Sequence, residues 1–319
     1  MKIALAFMMT LGFCLAAFSQ TTNEVQFYEP HQLDLNVVGL KPNRIEFKEI
    51  SFPKGKRRLD AYRYLTIDHI QAFGEKQLKI NWEGLTAYGT GLDINFVSAS
   101  DLSLYARITP RGVPLGYFLE SHAFPKEANI IAVNPDADFH PELKGLSSST
   151  KSVEQRPTQK LPFKTYNSII FPFVFATMEL SAGKSFIVPD FGPYLKGIFY
   201  YRVNVIGQTE IKDAKGNNHN VFKVEGIRRR TLKEARDVRK TDSGGRTIYY
   251  VSDKAPYFFG KESINLKKDG SRIITRRWIL SDWQLLKVNM GRKQEEMINE
   301  WEKVKKSRSL KIPWQTPEN

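Results

Sequence analysis

Alternation of apolar and polar residues with a period of two is the feature that most limits how this chain can fold. In Arg44-Ile45-Glu46-Phe47-Lys48 the apolar side chains take odd positions and the charges even ones. Leu78, Ile80 and Trp82 alternate in the same way with Lys79, Asn81 and Glu83. Successive side chains of a strand point to opposite faces, so this pattern predicts half-buried strands. The same reading extends to Asp93–Ser98, Ser103–Thr109, Lys184–Val188, Gly197–Ile206, Val221–Ile227, Thr247–Val251, Tyr257–Asn265 and Arg272–Leu280. The fold class is therefore mainly β, with few helices.

Turn chemistry separates these runs: Asp213-Ala214-Lys215-Gly216-Asn217-Asn218, Asp242-Ser243-Gly244-Gly245 and Lys268-Asp269-Gly270-Ser271. Connections this short cannot make parallel crossovers, so residues 184–287 should form an antiparallel meander. The apolar segment Ser168–Leu180, closed by Ser181-Ala182-Gly183, predicts a short buried helix under the sheet. Leu146–Lys160 has almost no apolar content and reads as an exposed loop or linker. It divides an N-terminal β region, 20–142, from a C-terminal one, 161–288, with 143–160 between them. Residues 289–319 form a basic tail in which Met297, Ile298, Trp301 and Val304 fall at helical spacing.

The first residues carry an address. Lys2 precedes an uncharged apolar run from Ile3 to Ala17, too short to span a bilayer, and Ala17 and Ser19 supply small residues before a polar flank. Residues 1–19 are expected to be a cleaved signal peptide, which places the protein in a bacterial-type periplasm or at the cell surface. The lone cysteine, Cys14, lies inside this segment, so a mature chain offers no disulfide or thiolate. The net charge of +14 favours anionic partners such as lipid head groups or acidic glycans, and export sets nucleic acid aside.

A sequence of elements in the C-terminal region resembles a known family. The helix ending Met178-Glu179-Leu180-Ser181-Ala182-Gly183-Lys184 precedes Tyr200-Tyr201-Arg202-Val203-Asn204-Val205-Ile206-Gly207. A Gly-containing hairpin, Val221-Phe222-Lys223-Val224-Glu225 and Ala255-Pro256-Tyr257-Phe258-Phe259 follow. Over 165–285 this resembles the envelope family called domain of unknown function 3108. The resemblance implies a curved, open antiparallel sheet, half-barrel-like, with a helix against its concave face. It implies no catalytic residues. With an N-terminal β region beside it, the expected architecture is two such curved open-sheet regions and a C-terminal helix.

Candidate sites are few. Asp136, Asp138 and His140 alternate in Asn134–Glu142 as hard-cation ligands can, although Phe139 stands where a calcium loop needs glycine. The serines Ser181 and Ser185 and five scattered histidines lack a nucleophile elbow. Asp190-Phe191-Gly192 reads as a turn between strands. The densest charge is the basic run of Arg228, Arg229, Arg230, Lys233, Arg236, Arg239 and Lys240, read as a loop able to meet anionic head groups. Tyr250 and Tyr257 join Arg228, Arg229, Arg230 and Arg236 as candidate ligand contacts, and Met297 and Trp301 are candidates for docking a partner. No cofactor is expected. These features predict a non-enzymatic envelope protein that binds a lipid-like or apolar ligand or a partner protein. A structural subunit of a surface assembly comes second, and a hydrolase of envelope polymers third.

Overall fold

The computed structural model describes residues 25–72, 75–86, 89–110, 128–133, 159–192, 197–237, 245–267 and 270–286. The expected signal peptide, the Asp136, Asp138 and His140 loop, nearly all of 143–160, and the tail with Met297 and Trp301 lie outside the described residues.

The first half supplies strands β1 (Asn43–Ser51), β2 (Arg58–Ala72), β3 (Glu75–Thr86), β4 (Gly89–Ser98), β5 (Leu104–Pro110), β6 (Ala128–Val133) and β7 (Gln159–Lys160). The second supplies β8 (Ser185–Gly192), β9 (Gly197–Lys212), β10 (Asn218–Arg229), β11 (Arg246–Val251), β12 (Phe258–Leu266) and β13 (Arg272–Leu285). Two short α-helices, α1 (Phe171–Thr177) and α2 (Leu232–Arg236), and three single-turn 3-10 helices, Pro30–Gln32, Val37–Gly39 and Pro53–Gly55, complete the described elements. All the strands join one sheet in the order β7-β6-β5-β4-β3-β2-β1-β13-β12-β11-β10-β9-β8. Its neighbouring pairs are antiparallel except β6 and β7.

The two β regions read from the sequence are thus halves of one sheet. They meet where β1 pairs with β13, from Asn43 opposite Leu285 to Ser51 opposite Arg276. Separate sheets would each expose an edge here, with a row of unpaired backbone groups, and the pairing removes both edges.

Period two decides the inner face. Ile45 and Phe47 on β1, Leu78 and Ile80 on β3, Tyr201, Val203 and Val205 on β9 and Tyr249 and Val251 on β11 are buried in one core. At its centre lies α1, all seven residues of which are buried, so the helix fills the concavity of the sheet. Phe171 stacks on Tyr201 with ring centroids 4.4 Å apart, and Phe175 meets Tyr249 edge-on at 5.5 Å. Pro172 near the helix start fits a position where a missing N–H costs no hydrogen bond.

Short segments close the curl. Thr165 O accepts from Leu104 N on β5 at 2.7 Å, while Tyr166 exchanges hydrogen bonds with Pro189 and Phe191 on β8. Residues 161–167 therefore span the gap between the two arms of the sheet. The N-terminal arm covers the rest of the β8 edge, with Ile187 bonded to Gln26 and Tyr28. On the outer face α2 packs over β9 and β10, its Thr231 cap accepting from Glu234 N at 3.1 Å. Arg202 points outward beneath it and donates to Asp237 O at 2.8 Å. Among the described residues no helix is long and apolar enough to cross a membrane.

Candidate functional site

Residues directly opposite each other on antiparallel strands share a face, which allows the inner wall to be followed from strand to strand. Tyr249, a core residue, is opposite Lys261 on β12. Lys261 is opposite Trp278 on β13, and Trp278 is opposite Glu49 on β1. Phe47, two residues before Glu49, is opposite Arg63 on β2. In the other direction, Tyr201 is opposite Arg228 on β10. Asp190 on β8 follows the buried Val188 by two residues and is opposite Phe199. The inner face is apolar around α1, but toward this one mouth it becomes a layer of charged and aromatic side chains.

The ion pairs within the layer are specific. Glu49 is 2% exposed and accepts from Arg63 Nε. Its Oε2 also accepts from the Trp278 indole N–H at 3.1 Å, and its Oε1 lies 3.7 Å from Arg276. The Asp190 side chain is fully buried, with Arg228 Nε 2.6 Å away. Arg63 stacks over the Trp82 ring at 4.9 Å, and Arg228 over Phe199 at 5.5 Å. Lys261 Nζ sits 3.7 Å from the centre of the Trp278 ring. Side-chain exposures of 32% at Arg228 and 61% at Arg276 show that solvent reaches the layer from the mouth. Arg58 and Asp60 pair at the rim, 2.6 Å apart, and add no net charge.

Two glycines make room for this layer. A Cβ on Gly84 would overlap Arg63 Nη1, and one on Gly226 would overlap the Tyr201 ring, so both side chains lie flat across a bare stretch of backbone.

Burial and like charge act together on the ionisable groups. Desolvation is the main cause that holds the Lys261 ammonium down at about 8; Glu49 pulls the other way, and Arg63, Arg276 and Arg228 push it lower. Burial raises the Tyr201 phenol to about 12, and Tyr249, whose hydroxyl is 3.1 Å from that of Tyr201, also lies well above the usual range. Both tyrosines are neutral hydrogen-bonding groups at physiological pH.

The residues singled out in the sequence are dispersed. Of the candidate ligand contacts, Arg228 alone belongs to the layer. The basic run is not a loop: Arg228 and Arg229 end β10, Arg230 is exposed beyond it, and Lys233 and Arg236 are on α2. Strand alternation accounts for this, since Arg228 faces inward and Arg229 must face outward. Arg239 and Lys240 lie outside the described residues. Tyr250 alternates with inward Tyr249, and burial and Glu262 raise its phenol to about 12. Asp190-Phe191-Gly192 belongs to β8 rather than to a turn. His69, His219 and Ser185 bond separately to Leu40 O, Asp213 and Asn204.

Tyr257 is at the opposite mouth. Its hydroxyl donates to Gly39 O and accepts from Lys41 N, both at 2.8 Å, tying the N-terminal arm across that end. Open clefts of about 350 and 250 Å³ flank the arm there; both include Asn36, Thr177 and Glu179, and the smaller includes Tyr257. Sequence reading missed Glu49, Arg63, Asp190, Lys261 and Trp278. The available signal was a charge on the parity of the buried residues: Glu49 continues Ile45 and Phe47, and Arg63 falls between Ala61 and Leu65.

No family model matches the chain, and no curated protein matches it. Among solved structures it is similar to a beta-barrel-like protein of domain of unknown function DUF1849 from Brucella abortus. The two share 9% identity and a TM-score of 0.37, over 78% of this chain and 99% of the other.

Proposed function

We propose that this is a non-enzymatic binding protein of the cell envelope that holds the anionic head group of an amphiphile at the charged mouth of its sheet. The observation that carries the reading is the inward-facing layer. Four cations, Arg63, Arg228, Lys261 and Arg276, meet two carboxylates, Glu49 and Asp190, beside the aromatic faces of Trp82, Trp278 and Phe199. Ligand sites combine apolar walls with a few convergent polar groups in this way.

The packing also bears on how a ligand sits. With α1 filling the concavity, an acyl chain cannot run through the centre of the sheet without displacing Phe171 and Phe175. The anionic group enters first, and the apolar part stays at the rim. The signal-peptide pattern of residues 1–19 supports an envelope location, where such amphiphiles are the abundant anions.

The test compares two amphiphiles with identical short chains, dihexanoyl phosphatidylglycerol and dihexanoyl phosphatidylcholine, by calorimetric titration. The anionic lipid should bind at least about tenfold more tightly, as one charge-assisted hydrogen bond allows. Its advantage should shrink with added salt and on Arg276→Gln. Equal affinity for the two lipids, or no binding of either, would overturn the reading.

A further inference from the structure

Within the layer the charges are not evenly partnered. Glu49 is engaged by Arg63, Trp278 and Arg276, and Asp190 by Arg228. Lys261 is left over: among the described residues no carboxylate lies within ion-pair distance of its ammonium, which rests on the Trp278 ring instead. An ammonium has three N–H donors, and a ring face satisfies none of them as a carboxylate would. The charged groups facing Lys261 come from every strand around it: Glu49 on β1, Arg63 on β2, Arg228 on β10 and Arg276 on β13, with the Tyr249 phenol adjacent on β11. Among the described residues the layer thus carries a surplus of two positive charges over its carboxylates.

From this arrangement we infer that the layer is built for a phosphomonoester dianion, which places its terminal oxygens on Lys261 and between the guanidinium groups of Arg63, Arg228 and Arg276. The inference rests on the head-group reading and narrows it to one chemical class. A phosphodiester or carboxylate brings one negative charge and leaves the surplus half neutralised. A phosphomonoester brings two charges and three equivalent oxygens, and guanidinium groups match such oxygens in their fork geometry. No bond is made or broken; the one chemical event is a proton taken up from solvent by the Lys261 amine when the dianion arrives. Burial and the surrounding cations hold that ammonium down at about 8 when the site is empty, and an adjacent dianion raises it again.

The experiment is calorimetric titration at pH 9 with dihexanoyl phosphatidic acid, dihexanoyl phosphatidylglycerol and inorganic phosphate. It is run in two buffers of different ionisation enthalpy, on the wild type, Lys261→Met and Lys261→Arg. In the wild type, phosphatidic acid should bind tenfold to a hundredfold more tightly than phosphatidylglycerol, and close to one proton should be taken up per ligand. Lys261→Met should bind both lipids alike; Lys261→Arg should keep the preference but lose the proton uptake. Thermal melts of the two variants report that each is folded. Competition by inorganic phosphate at equal affinity supports the dianion site and identifies a free phosphate rather than a lipid as its source. If phosphatidylglycerol binds as tightly as phosphatidic acid and Lys261→Met changes nothing, the dianion inference fails while the head-group reading stands. If neither lipid binds, the head-group reading itself fails.

Discussion

Replacing Glu49 by Gln isolates the electrostatics of the charged mouth. The amide keeps the shape of the carboxylate and an oxygen to accept from the Trp278 indole, so the loss is the charge alone. Arg63, whose side chain is 11% exposed, then remains in the wall without its counter-ion. Breaking a buried pair from one side costs about 3–5 kcal/mol. The stack of Arg63 on Trp82 is common to wild type and variant and cancels, but the amide oxygen still offers Arg63 a neutral acceptor, which offsets about 1 kcal/mol. The net expectation for Glu49→Gln is a loss of about 2–4 kcal/mol in urea unfolding, with an unchanged m-value. Arg63→Met should be destabilising as well, because it leaves the buried carboxylate only the Trp278 indole and the more distant Arg276. The double variant should lose less than the two singles together, with a coupling of about 2 kcal/mol. A loss under about 1 kcal/mol for Glu49→Gln, with no coupling to Arg63, would show the pair to be solvated and refute its placement in the wall.

Other consequences can be measured independently. Lys261 is depressed to about 8 from an ordinary 10.5. Between these values the unfolded chain binds a proton that the folded one has shed, so stability should rise with pH, by at most about 2 kcal/mol from pH 7.5 to 9.5. Urea unfolding of the wild type should show that rise and Lys261→Met should not; a flat wild-type profile contradicts the burial of the ammonium. Tyr257→Phe removes both hydrogen bonds to the N-terminal arm and should cost about 1–3 kcal/mol, with faster amide exchange at Lys41. Gly84→Ala should leave the fold intact, because the overlap is with the far end of the flexible Arg63 side chain. It should nevertheless weaken binding of anionic lipid several-fold.

How far the sequence revealed the fold depended on how cleanly period two survived. β1, β3 and the meander β8 to β13 kept their alternation and were legible strand by strand. β2 was not, because Arg63 and His69 take inward positions among Ala61, Leu65 and Ile67 and break the apolar rhythm. Arg63 is also part of what makes the candidate site, so the strand and the site were obscured by the same residue. α1 was visible because Phe171, Phe173 and Phe175 have no polar face and the segment stops at Gly183. The joining of the halves was not, since β1 and β13 are 220 residues apart and nothing local records their pairing. The basic run drew attention by density along the chain, but alternation sends Arg228 and Arg229 to opposite faces. Lys261, isolated in sequence, acquires its surroundings only when β12 is set between β11 and β13.

The binding claim can be tested most directly by fluorine NMR of protein carrying 5-fluorotryptophan, with resonances assigned by single Trp→Phe substitutions, during titration with dihexanoyl phosphatidic acid. Trp82 and Trp278 contact Arg63 and Lys261 in the layer, while Trp283, farther along β13, is 39% exposed outside it. The expected result is a saturable shift of the Trp278 and Trp82 resonances with Trp283 unmoved. A shift confined to Trp283, or none at all at saturating lipid, would contradict a head-group site at the charged mouth.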